Sequence, residues 1–251
     1  MLNPIIVIPS RLAAARLPNK PLLDIHGEPM VVHVWRRGVN ANLGPVVVAC
    51  CGPEIEQAIT QVGGKAVLTD PDLPKGSDRI YAALQEIDKA ESALLHDVII
   101  NLQGDLPTIS APLLQTVLAP FEDPDVGIAT LAAPIVNKAE LNSPHVVKIA
   151  MTEPKESPSG VKVGRALYFS RSLIPSGGQV HYHHIGVYAY RRKALETYVN
   201  LPVSSLEAAE HLEQLRALEA GMRMDVAIVN EIPPSIDTQE DLDYVRNIFY
   251  V

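Results

Sequence analysis

The chain reads as an α/β protein built on a doubly wound, mostly parallel sheet with a small mixed α+β insertion. Three observations carry that expectation. Continuous apolar runs at 5–8, 45–49, 97–102 and 126–131 have the character of strands buried on both faces. Helical patterns at 29–39, 53–61, 77–88 and 111–119 separate most of these runs, the alternation that parallel βαβ units require. The pattern then changes near residue 144, where short strands and Pro/Gly-rich connections replace it. Together these describe a Rossmann-like layer with an insertion.

The elements follow in order. The β-branched run 5–8 is the first strand, and the Gly27-Glu28 turn precedes a helix over 29–39. A second strand covers 45–49. The helix 53–61 has proline in its first turn, and Gly63-Gly64 stops it. A third strand at 66–68, the helix 77–88, a fourth strand at 97–102, the helix 111–119 and a strand at 126–131 complete the regular part. Short strands are expected at 146–150, 166–169 and 186–190, and the polar stretch 153–164 as a hairpin loop or flap. A long helix over 206–220 ends at Gly221. A strand at 224–229 and a helix at 238–248 close the chain, with Asp237 and Thr238 as capping residues. No repeat or linker divides it, so residues 1–251 read as a single domain, with about 144–205 as a small subdomain.

The bulk composition narrows the function. The 251 residues can bury a full core, and 47% hydrophobic with 20% charged residues is ordinary for a globular protein. A net charge of −8 argues against a general nucleic-acid footprint, though not against a local cationic pocket. No run approaches the roughly 20 apolar residues that cross a bilayer, and no basic-then-apolar leader opens the sequence. The two cysteines, Cys50 and Cys51, are adjacent and lack metal-type spacing, which fits a reducing cytoplasm.

Several constellations carry chemistry. Arg11, Arg16 and Lys20 follow the first strand in a loop stiffened by Pro9, Pro18 and Pro21. In an α/β protein that is the ligand-binding edge of the sheet, and three cations there suit a polyanion such as a nucleoside triphosphate. The alternative is a solvated loop. The segment is neither a Gly-Lys-Ser/Thr phosphate loop nor a Gly-x-Gly-x-x-Gly fingerprint. Asp105, after the fourth strand, is placed to hold Mg2+ or to end the strand in an Asx turn. Asp237 is an N-cap or a second metal ligand. Lys75-Gly76-Ser77-Asp78-Arg79 brings a glycine to a helix start, where backbone groups meet ligands. His181, His183 and His184 have tight spacing, but strand alternation separates His183 from His184 and no fourth ligand follows. A single histidine as a substrate contact fits better than zinc. Leu212-Glu213-Gln214-Leu215-Arg216 reads locally as an amphipathic helix face.

Taken together these segments resemble the 3-deoxy-manno-octulosonate cytidylyltransferases, a family within the nucleotidyltransferase superfamily. The resemblance runs nearly end to end. It rests on Ile8-Pro9-Ser10-Arg11 and Arg16-Leu17-Pro18-Asn19-Lys20-Pro21-Leu22, then on Gly27-Glu28-Pro29-Met30, Gly76-Ser77-Asp78-Arg79 and Asn101-Leu102-Gln103-Gly104-Asp105. It continues through Ala166-Leu167-Tyr168-Phe169-Ser170-Arg171, His184-Ile185-Gly186-Val187-Tyr188, Leu212-Glu213-Gln214-Leu215-Arg216 and Asp237-Thr238-Gln239-Glu240-Asp241-Leu242. The resemblance implies transfer of CMP from CTP to the anomeric hydroxyl of 3-deoxy-manno-octulosonate (Kdo), giving CMP-Kdo and pyrophosphate for lipopolysaccharide biosynthesis. It implies a cytoplasmic homodimer.

The same resemblance implies roles for residues. Arg11, Arg16, Lys20 and Asp105 would be catalytic. Ser10, Arg11, Arg16, Lys20, Lys75, Gly76, Ser77 and Arg79 would bind the nucleotide. Gln103, Tyr168, Arg171, His184, Tyr188, Glu213 and Gln214 would line the sugar-acid pocket. Asp105 and Asp237 would hold Mg2+. The chain departs from the family where Cys50-Cys51 replaces Thr-Asp, Pro74-Lys75 replaces Gln-Ser, and Leu106 replaces Glu. Those departures leave open another sugar acid, such as sialic acid or 8-amino-Kdo, and a non-catalytic nucleotide-binding protein of the same fold.

Overall fold

The computed structural model describes residues 2–12, 17–90 and 95–248. The chain divides into two compact units, Met1–Leu114 with Pro233–Val251, and Gln115–Ile232.

The first unit opens with β1 (Pro4–Ser10), followed by a small hairpin of β2 (Asp24–Ile25) and β3 (Glu28–Pro29). His26 and Gly27 turn that hairpin at φ 52 and 88. Then come α1 (Met30–Asn40), β4 (Val46–Cys50), α2 (Pro53–Gln61) and β5 (Lys65–Leu68). The helix α3 (Gly76–Ala90), β6 (Val98–Asn101) and α4 (Ala111–Thr116) follow. The strands pair in the order β5-β4-β1-β6, all parallel. Every residue of β4 and β6 is buried, as their unbroken apolar runs require. Gly38 of α1 lies against β4: a Cβ there would stand 3.0 Å from the Val46 side chain. The helix can therefore lie close on the sheet.

The second unit begins with β7 (Ile128–Pro134), after a 3-10 turn at Ala119–Glu122. It continues through α5 (Lys138–Leu141), β8 (Lys148–Met151), β9 (Lys155–Glu156), β10 (Lys162–Ser170) and β11 (Tyr182–Arg191). Helices α6 (Arg192–Val199), α7 (Ser205–Glu210) and α8 (Leu215–Glu219) precede β12 (Met224–Ile228). Here β7 and β12 run parallel, while β11 is antiparallel to β7, and β10 to both β12 and β8. Strand β8 also pairs with β11, so the strands close on themselves. The last helix, α9 (Gln239–Ile248), returns to the first unit, where Ile236, Leu242 and Val245 share a buried cluster with Leu17, Ile25 and Met30.

The α/β class and the parallel sheet are those expected, and the segment 144–205 lies inside the second unit. The polar stretch 153–164 is a hairpin: β9 pairs with the start of β10, and Gly160 turns at φ 80. The long helix over 206–220 is a correction. It is two short helices, parted at His211, whose left-handed backbone (φ 56) ends the first. The apolar period continues across the break, so composition alone does not reveal it. Helix α6 escaped the sequence reading, because the chain enters it directly from β11 without a capping signal.

Candidate active site

In the first unit, one cavity of about 380 Å³ opens at the carboxyl end of β1. Ser10, Arg11, Lys20, Gln103, Gly104, Asp105 and Asp237 line it. Three chain segments meet there for identifiable reasons. Lys20 begins a 3-10 turn with the buried Pro21 inside it, entered through Asn19 at φ 54. Gly104 lets its backbone lie against β1, since a Cβ would stand 3.1 Å from the Pro9 carbonyl oxygen. The amide of Ile236 donates to the carbonyl of Asp105 at 3.0 Å, joining the segments that carry the two aspartates.

Those two carboxylates converge on one ammonium. Lys20 Nζ lies 3.0 Å from Asp105 Oδ2 and 3.0 Å from Asp237 Oδ1. Burial of Lys20 opposes its charge, but the two carboxylates outweigh it and hold its pKa above the ordinary lysine value. Asp237 was an N-cap candidate; the structure builds the cap from its neighbours. Thr238 Oγ1 accepts from the Asp241 amide at 3.2 Å, and Asp241 Oδ2 accepts from the amides of Thr238 and Asp237 at 2.8 and 2.9 Å. This reciprocal box leaves the Asp237 carboxylate to face Lys20.

The donor set fits a hard divalent cation. Two carboxylates already meet on a single positive atom, and oxygen is what Mg2+ takes. Among the described residues no group of three or more His, Cys, Asp or Glu side chains converges. A second mark of ligand binding is Ser10 Oγ, buried in the cavity wall with no hydrogen-bond partner among the described residues.

The other nucleotide residues distribute unevenly. Arg16 lies outside the described residues. Lys75, Gly76, Ser77 and Arg79 do not line the cavity, though Gly76 approaches it through Pro9: a Cβ there would stand 3.4 Å from the Pro9 side chain. Arg79 is buried and its guanidinium holds the 69–71 loop, donating to Thr69 Oγ1 and to the carbonyls of Asp70 and Pro71. Leu106, where a carboxylate was expected from the family, is buried as part of the core.

In the second unit, the expected sugar-pocket residues form two groups. The first is a row of rings. His184 meets Phe169 edge-on at 4.9 Å and Tyr188 at 5.4 Å; Tyr188 stacks on Tyr190 at 6.0 Å, and Tyr190 on Tyr198 at 5.9 Å. Tyr198 donates its hydroxyl to the carbonyl of Glu213 at 3.1 Å, which fixes the turn carrying Glu213 and Gln214 to this row. A buried pair supports the same turn: Arg216 grips Glu207 through two bonds of 2.7 and 2.6 Å and lies over the Tyr198 ring. Burial drives the His184 pKa down to about 3 and the Tyr188 phenol well above its usual value. Both are neutral groups.

The second group centres on Glu210, a residue the sequence reading missed. It accepts from Ser170 Oγ at 2.8 Å, the Tyr168 hydroxyl at 3.4 Å and the Arg171 amide at 3.3 Å. Tyr168 thus turns to Glu210, while the adjacent Phe169 packs on His184. Lys148 is fully buried and donates to three carbonyls, of Ser143, Val146 and Arg171. Its signal was available: a lone lysine within an apolar strand needs internal partners. His183 pairs with Glu140 at 3.0 Å and His184 with Thr130, so the two histidines do diverge.

A family model described as cytidylyltransferase matches residues 5–224. The chain belongs to the cytidylyltransferase family. Curated proteins similar to it over nearly its whole length are named 3-deoxy-manno-octulosonate cytidylyltransferase. That of Paramagnetospirillum magneticum is 52% identical over 98% of this chain and 97% of its own length. That of Rhodospirillum rubrum is 50% identical over 97% and 94%. Among solved structures, one described as CMP:2-keto-3-deoxy-manno-octonic acid synthetase complexed with CTP superposes with a TM-score of 0.85 at 39% identity. It covers 98% of this chain and 97% of its own. Membership makes the chain a nucleotidyltransferase, and no helix among the described residues is long and apolar enough to cross a membrane.

Proposed function

We infer that this chain is a CMP-Kdo synthetase: it joins CMP from CTP to the anomeric hydroxyl of Kdo and releases pyrophosphate. The observation that carries this reading is full-length similarity, 52% identity to a relative of that name. The charged cavity of Lys20, Asp105 and Asp237 supports it chemically.

In the reaction the hydroxyl oxygen of Kdo attacks the α-phosphorus. The bond from that phosphorus to the bridging oxygen breaks, pyrophosphate carries away the electron pair, and the hydroxyl proton passes to solvent. Such a displacement asks the protein for position and charge neutralisation more than for covalent chemistry. Lys20 and Arg11 border the cavity and would neutralise the phosphates, with Arg16 as a third cation. Asp105 and Asp237 would hold Mg2+, which when bound withdraws charge from the α-phosphate and helps orient the attacking oxygen. Ser10 Oγ is a wall donor for the nucleotide. Gln103 is held at 3.1 Å by Asn101 Oδ1 and faces the same cavity. In the second unit Arg171 would offset the Kdo carboxylate, and Tyr188, Glu213 and Gln214 would contact its hydroxyls.

The enzyme would act in the cytoplasm as a homodimer, and its product would feed lipopolysaccharide assembly. The test is pyrophosphate release from CTP and Mg2+ with Kdo, 8-amino-Kdo or sialic acid. Release with Kdo at the highest kcat/KM is expected. Preference for another sugar acid overturns the substrate, and CTP binding without release under every condition overturns the enzyme reading.

A further inference from the structure

A threonine that no site reading assigned controls how His184 can bond. Thr130 lies on β7 opposite Tyr188, where the pairing of β7 with β11 shifts register between Ile185 and Tyr188. Its hydroxyl is fully buried in that irregularity. Three groups surround Oγ1: the carbonyl oxygen of Val187 at 2.8 Å, the carbonyl oxygen of Ile185 at 3.3 Å and His184 Nε2 at 3.0 Å. The hydroxyl has one proton, and carbonyl oxygens only accept. If that proton pointed at His184, two oxygens would face each other 2.8 Å apart with no hydrogen between them. The proton therefore goes to Val187, and Thr130 turns a lone pair towards Nε2.

We propose that Thr130 fixes His184 in the Nε2–H tautomer, so that Nδ1 presents a lone pair and accepts a hydrogen bond from a hydroxyl of the sugar. Thr130 is thus a positioning residue, and it also decides specificity. A lone pair at Nδ1 repels a carboxylate and welcomes an alcohol, so His184 reads the polyol part of the acid and leaves its carboxylate to a cation. Burial among Phe169 and Tyr188 keeps the ring neutral, with its pKa near about 3, so no second proton arrives at Nδ1 near neutral pH. Among the described residues nothing donates to Nδ1. This inference rests on the reading of His184 as a sugar contact.

The test is ring-nitrogen NMR of histidine-labelled free protein, with the His184 signals assigned by their loss in His184→Gln. The expected spectrum has Nε2 protonated and Nδ1 bare at neutral pH. Thr130→Val should lower the ratio of the Nε2–H to the Nδ1–H form by about tenfold, the equivalent of one hydrogen bond, and Thr130→Ser should restore it. The KM for Kdo should rise about tenfold in Thr130→Val, with kcat and the KM for CTP unchanged within about twofold. An Nδ1–H or doubly protonated ring in the wild-type protein overturns the assignment, as does an unchanged ratio in Thr130→Val. An unchanged KM for Kdo in His184→Gln overturns instead the sugar contact itself, and the NMR result is independent of it.

Discussion

The Lys20 corner and the His184 row treat ionisable groups in opposite ways. At the first, two carboxylates stand 3.0 Å from the Lys20 ammonium, and they hold Lys20 above its ordinary pKa although its side chain is only 14% exposed. In the second, the ring of His184 and the phenols of Tyr188 and Tyr198 are held neutral, because burial dominates and Glu213 further disfavours charge on the two phenols. The difference matches the two substrates of the proposed reaction. A triphosphate with its metal ion needs fixed charge in a partly wet cavity. A polyol needs neutral donors and acceptors with fixed orientation, since a neutral hydrogen bond discriminates by geometry.

The comparison breaks most readily at its charged side. Asp105→Asn keeps the shape of the side chain and removes the charge. Loss of one of two carboxylates should cut CMP-Kdo formation by about a thousandfold or more, as an ion contributing several kcal/mol to the transition state requires. A pyrophosphate-release assay measures it, and activity within about tenfold of wild type would remove Asp105 from the reacting centre.

A second change tests whether the neutral row depends on a buried charge behind it. Arg216 and Glu207 are 5% and 6% exposed and bonded twice. Arg216→Met leaves Glu207 buried without its guanidinium partner, and should cost about 3–5 kcal/mol of stability. The midpoint of urea unfolding reads this directly. The turn bearing Glu213 and Gln214 is anchored to the same ring, Tyr198, so the KM for Kdo should rise before the KM for CTP does.

How much of this was legible in the sequence follows the reach of each interaction. The strands β1, β4 and β6 were readable because unbroken β-branched runs have few other uses, and the place of Arg11 and Lys20 on the cavity after β1 was readable from their position. Asp105 was readable as an aspartate at a strand's carboxyl end. Asp237 was ambiguous, because capping rules recognise side-chain type, and Asp237, Thr238 and Asp241 are all good caps; only the fold shows that the latter two make the box. The break at His211 was hidden, since a left-handed histidine has no compositional mark. Glu210 and Thr130 draw their partners from 39 to 57 residues away, and Lys148 draws one of its three, Arg171, from 23 residues away, beyond any local pattern. The polar Thr130 and Lys148 inside apolar strands were nonetheless a signal that something distant satisfies them.

The smallest effect concerns pH. The His184 pKa falls to about 3 in the folded protein from a usual value of 6.5. Between those values the unfolded chain binds a proton that the folded chain refuses, so stability rises with pH there and is lost as the pH falls below 6.5. This one group contributes a slope of about 1.4 kcal/mol per pH unit at its steepest. Unfolding free energies of the wild type and His184→Gln, measured from mildly acid to neutral pH, should diverge by that slope. Parallel profiles would show that His184 is not held neutral.

The central claim is that one chain joins a nucleotide handled by fixed charge to a sugar acid handled by neutral contacts. Phosphorus NMR of the wild-type protein with CTP, Kdo and Mg2+ tests it most directly. The account predicts that the triphosphate signals disappear, that one phosphodiester signal grows, and that pyrophosphate appears in equal amount, with none of this when Kdo is omitted. Unchanged CTP would contradict it, and so would pyrophosphate appearing with free CMP and unmodified Kdo.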